Sequence, residues 1–151
     1  MQVCRFQIGT AQCAVPLASV REVALMPSLR ALPKATALVE GLVVVRGEPV
    51  PVLRIAHVLG LAQRELDQRD HLLMLQAGPR LVGLRVDEVY GLDRLSAGDV
   101  VPVPTPVPGA PHLVGLTRCV NDLLFLHDPT RFLGDAEAAA VDRWLSECAS
   151  A

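Results

Sequence analysis

Two twenty-residue stretches of this chain can be laid on one another without a gap. GLVVVRGEPVPVLRIAHVLG (41–60) meets GLTRCVNDLLFLHDPTRFLG (115–134), Gly-Leu at one end and Leu-Gly at the other. Gly47 falls on Asn121, and both residue types tolerate the positive φ of a tight turn. SVREV (19–23) meets RVDEV (85–89) in the same sense. A polar stretch, AQRELDQRDH (62–71), divides the chain between the copies. A repeat of this kind restricts the fold to two copies of one small unit packed against each other.

The unit is built from strands. CRFQI (4–8), AQCAVPL (11–17), SVREV, HLLMLQ (71–76), LVGLRV (81–86), LVGLTRCV (113–120) and LLFLH (123–127) are short, apolar and separated by turn residues. Ala77-Gly78-Pro79-Arg80 and Asn121-Asp122 read as hairpin loops. Such spacing predicts small barrels or a sandwich. One helix is expected over 135–148, capped by Asp135, with Val141, Trp144, Leu145 and Cys148 on one apolar face. It reads as a terminal helix packed on the body, or else as a partner-binding helix.

The prolines refine this picture. Pro49 and Pro51 alternate with Val50 and Val52, so both missing N–H groups fall on one side of the strand. That predicts a sheet edge, or a strand that pairs on one side only. VVPVPTPVP (100–108) reads as a stiff crossover.

Several function classes are disfavoured. The chain of 151 residues is 51% hydrophobic and 20% charged, enough to bury a core. Aromatics make up 3% and the formal charge is −2, which supplies neither stacking platforms nor a basic footprint for nucleic acid. No apolar run nears the roughly 18 residues of a membrane span, and Arg5 interrupts any signal-peptide core. A cytoplasmic protein with free thiols at Cys4, Cys13, Cys119 and Cys148 is expected. No phosphate-binding loop, H-E-x-x-H or G-x-S-x-G motif occurs, and His57, His71, His112 and His127 are scattered. Neighbours on a strand face opposite ways, so neither His127-Asp128 nor Asp87-Glu88 forms a catalytic pair. No catalytic residue, metal or cofactor is expected, and no set of polar residues is seen that would line a deep pocket.

FQIGTAQCAVPLASVREV (6–23), LVVVRGEPVPVLRI (42–55), GLRVDEVYGL (83–92) and GLTRCVNDLLFLHD (115–128) together resemble the CheW family of chemotaxis coupling proteins. The resemblance implies an all-β fold of two intertwined five-stranded SH3-like barrels with a C-terminal helix. The barrel halves would lie near 1–62 and 71–134 and exchange strands. It implies a non-catalytic, monomeric adaptor at receptor arrays. Its partners would be the cytoplasmic tip of a chemoreceptor and the regulatory domain of a CheA-type histidine kinase. By the same resemblance Leu17, Val20, Glu22 and Arg46, with Glu40 and Gly47 beside them, are expected to face the receptor; the proline-bearing edge at Pro49, Val50 and Pro51 is expected to carry part of the kinase contact.

Each of these positions has a plainer role as well. Leu17 and Val20 suit an ordinary core, and Arg46 could cap its own barrel through strand-end carbonyls. Val44 stands where the family usually has Asn, Val45 where Leu is usual, Arg54 where Asp is common and Cys13 where Tyr often occurs. Glu40 stands beside Gly41, where a basic residue can occur. Such changes alter partner choice more than fold. They point to a divergent or auxiliary array, or to a scaffold with a different partner and no kinase coupling.

Overall fold

The computed structural model describes residues 1–30, 38–62, 65, 67–103, 112–119 and 122–150. Its strands are β1 (Gln2–Ile8), β2 (Ala11–Pro16), β3 (Val20–Leu25), β4 (Val39–Val45), β5 (Glu48–Leu53), β6 (His71–Ala77), β7 (Arg80–Val86), β8 (Glu88–Arg94), β9 (Val101–Pro102), β10 (Leu113–Cys119) and β11 (Asp122–His127). A single-turn helix α1 (Ile55–Val58) follows β5, and α2 (Asp135–Ser150) ends the chain. The proline-rich stretch beyond residue 103, the Asn121 turn position and the side chains of Cys119 and Cys148 lie outside the described residues.

The strands form two sheets of the same plan. One runs β8-β1-β2-β11-β10-β9 and the other β3-β6-β7-β5-β4. In each, a hairpin (β1–β2 or β6–β7) joins a second hairpin (β11–β10 or β5–β4) through parallel pairing, Leu126↔Ala14 in one and Val52↔Gly83 in the other. The outer strand is exchanged. β3 follows β2 in the chain but pairs with β6, and β8 follows β7 but pairs with β1. Each sheet therefore takes strands from both halves of the chain.

The repeat survives in detail. The register irregularity between Val39 and Gly41 in β4 recurs between Leu113 and Gly115 in β10. The match of 19–23 with 85–89 needs correction. Val20 pairs with Leu75 and Glu22 with Met74, just as Val89 pairs with Phe6 and Gly91 with Arg5, each with one bulged residue between. Val20 thus corresponds to Val89, three residues beyond the Val86 that sequence matching selects. The bulge is common to both strands, so the offset lies in the residue match itself, which followed the Val-x-Glu-Val similarity rather than the strand pairing.

Side-chain alternation assigns two interiors to each sheet. Cys4, Phe6 and Ile8 of β1 and Leu73, Leu75 and Ala77 of β6 meet in one shared core, which α2 covers with Val141 and Trp144. The opposite faces form smaller clusters, Val43, Val50, Val52, Leu72 and Met74 in one sheet and Val3, Ala14, Leu124 and Leu126 in the other. Gly83 sits where the parallel hairpins meet, and a Cβ there would come within 2.7 Å of Leu72 Cδ1.

β5 is not an edge, because it lies between β4 and β7. It does pair fully on one side only. Six residue pairs join it to β4, and the single pair Val52↔Gly83 joins it to β7. Proline cannot donate within a bonded antiparallel pair. The missing donors of Pro49 and Pro51 accordingly fall on the sparsely paired side.

The cap of α2 also differs from expectation. Gly134 is the cap, since its carbonyl accepts from Ala138 N at 2.8 Å and its own N–H donates to Glu137 Oε1 at 3.0 Å. Asp135 begins the first turn, where its charge suits the helix dipole. Arg80 at the start of β7 ties the helix down, donating from Nε and Nη2 to the Asp142 carboxylate at 2.8 and 2.7 Å. That hydrogen bonding lowers the Asp142 pKa.

Candidate functional site

β4 and β5 are joined by two residues, Arg46 and Gly47, with φ of 51° and 80°. Two consecutive positive φ values make the mirror-image hairpin turn that matches strand twist. Glycine enters this region freely, whereas a residue with a Cβ pays roughly 1–2 kcal/mol. Arg46 is the sole non-glycine in that conformation among the described residues.

The tip holds the guanidinium across an open seam. β3 and β4 are the two outer strands of their sheet. Arg46 Nη2 donates to Glu22 Oε1 on β3 at 2.7 Å, linking the β4–β5 tip to the opposite edge. The Arg46 side chain is 78% exposed and that of Glu22 is 27% exposed. Four of the five guanidinium donors remain for a partner. Next to this pair the surface turns apolar, with Val44 and Val23 each 40% exposed and Leu25 69% exposed. Val44 lies directly opposite Pro49, which is also exposed.

Of the residues expected at a receptor face, Glu22, Arg46 and Gly47 are brought together at this seam. Leu17 and Val20 lead into β3 on the same edge. They are half-buried and pack against the shared core, so each serves the body and shows part of itself outside. Glu40 does not belong with them. It lies six residues back along β4 from the tip, roughly 20 Å at strand rise, and its side chain is 9% exposed. There it accepts from Arg85 Nε at 2.9 Å. Arg85 also donates from Nη1 to Asp70 Oδ2 and to the Glu65 carbonyl, each at 3.0 Å. Burial alone would lower the Arg85 pKa, but bonds to Glu40 and Asp70 outweigh it and the net direction is upward. Glu40 is therefore part of a buried lock between β4, β7 and the segment before β6. Sequence reading missed that role because its three charges are 15 to 45 positions apart.

Two of the expected kinase-facing residues are also corrected. Val50 is 1% exposed and Pro51 is buried. The mouth of the inner cluster claims Val50, and both faces of β5 are covered from Val50 onward. Pro49 alone of the three presents itself to solvent.

No group of three or more metal-binding side chains occurs among the described residues. His112 and His127 stack with ring centroids 5.1 Å apart and are 2% and 4% exposed. Burial, then the neighbouring His112 charge, pushes the His127 pKa down to about 3. Cys4 and Cys13 are free and buried, and burial raises the Cys13 thiol to about 12, far from a nucleophile. Among the described residues no helix is long and apolar enough to cross a membrane.

The double sheet with exchanged outer strands is the intertwined architecture that the resemblance to chemotaxis coupling proteins implies, with Arg46 at its seam. Residues 2–137 match the CheW-like domain family, and the chain belongs to that family. It is 30% identical over 141 residues to Protein FrzA of Myxococcus xanthus, covering 91% of this chain and 88% of FrzA. It is 30% identical over 99 residues to Chemotaxis protein CheW of Rhizobium meliloti, covering 66% of this chain and 64% of that one. The fold is that of the scaffolding protein TtCheW from Thermoanaerobacter tengcongensis, with a TM-score of 0.72 at 17% identity over 83% of this chain and 87% of that one.

Proposed function

We propose that this chain is an adaptor that couples chemoreceptors to a CheA-type histidine kinase by protein–protein contacts, without catalysis of its own. The observation that carries this is Arg46, held in a left-handed conformation at an exposed hairpin tip and steadied by Glu22. A guanidinium presented in this way can grip a carboxylate or backbone carbonyls at the end of a receptor's helical hairpin. Leu17 and Val20 supply apolar contact beside it. Pro49, across from exposed Val44, offers an apolar surface to the kinase's regulatory domain. The adaptor acts in the cytoplasm at receptor arrays and is a monomer before it meets its partners.

A second reading rests on Val44. It places an exposed apolar side chain two residues before Arg46, where the family usually carries a polar one. A partner selected by that change could differ from the usual pair and leave kinase coupling aside.

The deciding experiment is a binding titration against the regulatory domain of a CheA-type kinase from the same genome, repeated with a receptor tip fragment. Saturable kinase binding, with Arg46→Ala failing only when receptor is included, supports the adaptor. Absence of binding to any such kinase transfers the proposal to a scaffold with another partner.

A further inference from the structure

The two sheets follow one plan, so their small interiors can be compared position by position. Arg5, opposite Ala14, stands where Met74 stands opposite Gly83. Thr117, opposite Leu124, stands where Val43 stands opposite Val50. Asp93, opposite Val3, stands where Ala24 stands opposite Leu72. Gln12, which pairs with Leu124, occupies the place of Leu81. One interior is filled by apolar side chains. The other carries four polar ones at the same places and leaves an open cavity of about 1090 Å³.

The cavity has a floor and a rim. Leu124, 1% exposed, and Thr117, 6% exposed, lie deepest, while Tyr90 and Leu123 are 48% and 45% exposed at the mouth. Three carboxylates line it, Asp93, Asp99 and Asp122, and two of them are partly spent. Asp93 Oδ1 accepts from Arg94 N at 2.8 Å and its Oδ2 from Arg5 Nη1, and Asp122 Oδ1 accepts from Leu123 N at 2.7 Å. Its guanidiniums are less fully engaged, although that of Arg5 also lies over the Tyr90 ring, 5.9 Å from the centroid. Arg5 makes one bond, at 3.3 Å, longer than the usual 2.7–2.9 Å of a charge-assisted pair, and its Nε is buried without a hydrogen-bond partner. Arg94 and Arg118 line the mouth with no ion pair among the described residues. A buried N–H left unpaired is unfavourable. The corresponding Met74 carries no such unpaired donor, so the Asp93 and Tyr90 contacts of Arg5 leave part of its hydrogen-bonding capacity unused.

We infer that this barrel mouth binds a small amphipathic carboxylate, its anionic end on the Arg5 guanidinium and its apolar body against Tyr90, Leu123 and Leu124. Polar groups recessed inside a concave apolar wall are the pattern of small-molecule sites. A flat protein surface would not reach Thr117. The lining is invisible in the sequence because Arg5, Gln12, Asp93 and Thr117 come from four strands.

The test is a ¹⁵N NMR titration of the whole chain with 4-phenylbutyrate, and with 3-phenylpropylamine as the cationic counterpart. Saturable shifts are expected at the Arg5 side chain, Gln12, Thr117 and Leu124 with the acid only. Arg5→Met, which copies the other barrel, should weaken binding roughly tenfold or more, and Asp93→Ala, which frees the guanidinium, should tighten it. No saturable shift in the wild-type protein, equal shifts with the amine, or binding unchanged in Arg5→Met overturns the inference. Should Arg5→Met fail to fold, Asp93→Ala decides. A lowered melting temperature with unchanged affinity would mean the pair only closes the barrel.

Discussion

Arg85 and Glu40 are joined inside the protein, guanidinium Nε to carboxylate Oε1 at 2.9 Å, on strands that are not neighbours in their sheet. With Asp70 as the third member, the pair ties the linker between the chain's two halves to β4 and β7. Both side chains are almost out of water, so removing one partner strands the other. Glu40→Ala should lower unfolding stability by about 3 kcal/mol, and Glu40→Gln by less because it keeps an acceptor. Urea melts of the two variants measure this. A loss of receptor binding with an unchanged melt would return Glu40 to the surface role that sequence reading assigned it.

Arg46 separates stability from recognition. Its ion pair with Glu22 is exposed and contributes at most about 1 kcal/mol, while its backbone conformation costs a comparable amount. Arg46→Gly should therefore melt at or above the wild-type temperature and Arg46→Ala slightly below it. Both should bind receptor more weakly. Thermal melts beside a receptor-containing binding assay read the two effects. A melting temperature that falls by many degrees with binding intact would make the arginine a barrel cap.

Gly47 gives a cleaner backbone test. A Cβ built there meets nothing within 4 Å, so only its φ of 80° opposes a side chain. Gly47→Val should cost on the order of 1–2 kcal/mol, through strain alone. Denaturant unfolding with an unchanged m-value would identify the effect as local.

The His127 pair predicts acid sensitivity. His127 titrates near 3 in the folded protein, against about 6.5 when unfolded. Below pH 6.5 the unfolded chain binds the proton first, so stability falls as the pH drops from there toward 3. The loss should be on the order of 2 kcal/mol by pH 5. His127→Phe should flatten this part of the profile, as measured by melts between pH 7 and 5. An unchanged slope would place the acid response in the neighbouring His112, whose pKa burial also lowers.

Val50 and Pro49 provide the contrast for the kinase face. Val50→Lys would bury a charge in a filled cluster and unfold the sheet, so it reports on the core. Pro49→Glu leaves the fold intact and should weaken kinase binding. Full binding in Pro49→Glu would move that contact elsewhere.

Local pattern carried much of this protein. Strand periodicity, glycine-bearing turns and the internal repeat are written in neighbouring residues, and so strands, hairpins and the terminal helix are legible from the chain alone. Gly47 marks a turn by itself, and Arg46 is singled out by the family resemblance. What the tertiary structure decided depends on residues far apart in the chain. The exchange of β3 and β8 is set by which sheet each can complete, and their true correspondence follows from pairing partners rather than residue similarity. Alternation divides each strand into two faces without saying which is buried, and only packing showed Val50 inside and Pro49 outside. The charged lock at Arg85, and the polar barrel mouth that its apolar counterpart lacks, arise where three or four strands meet.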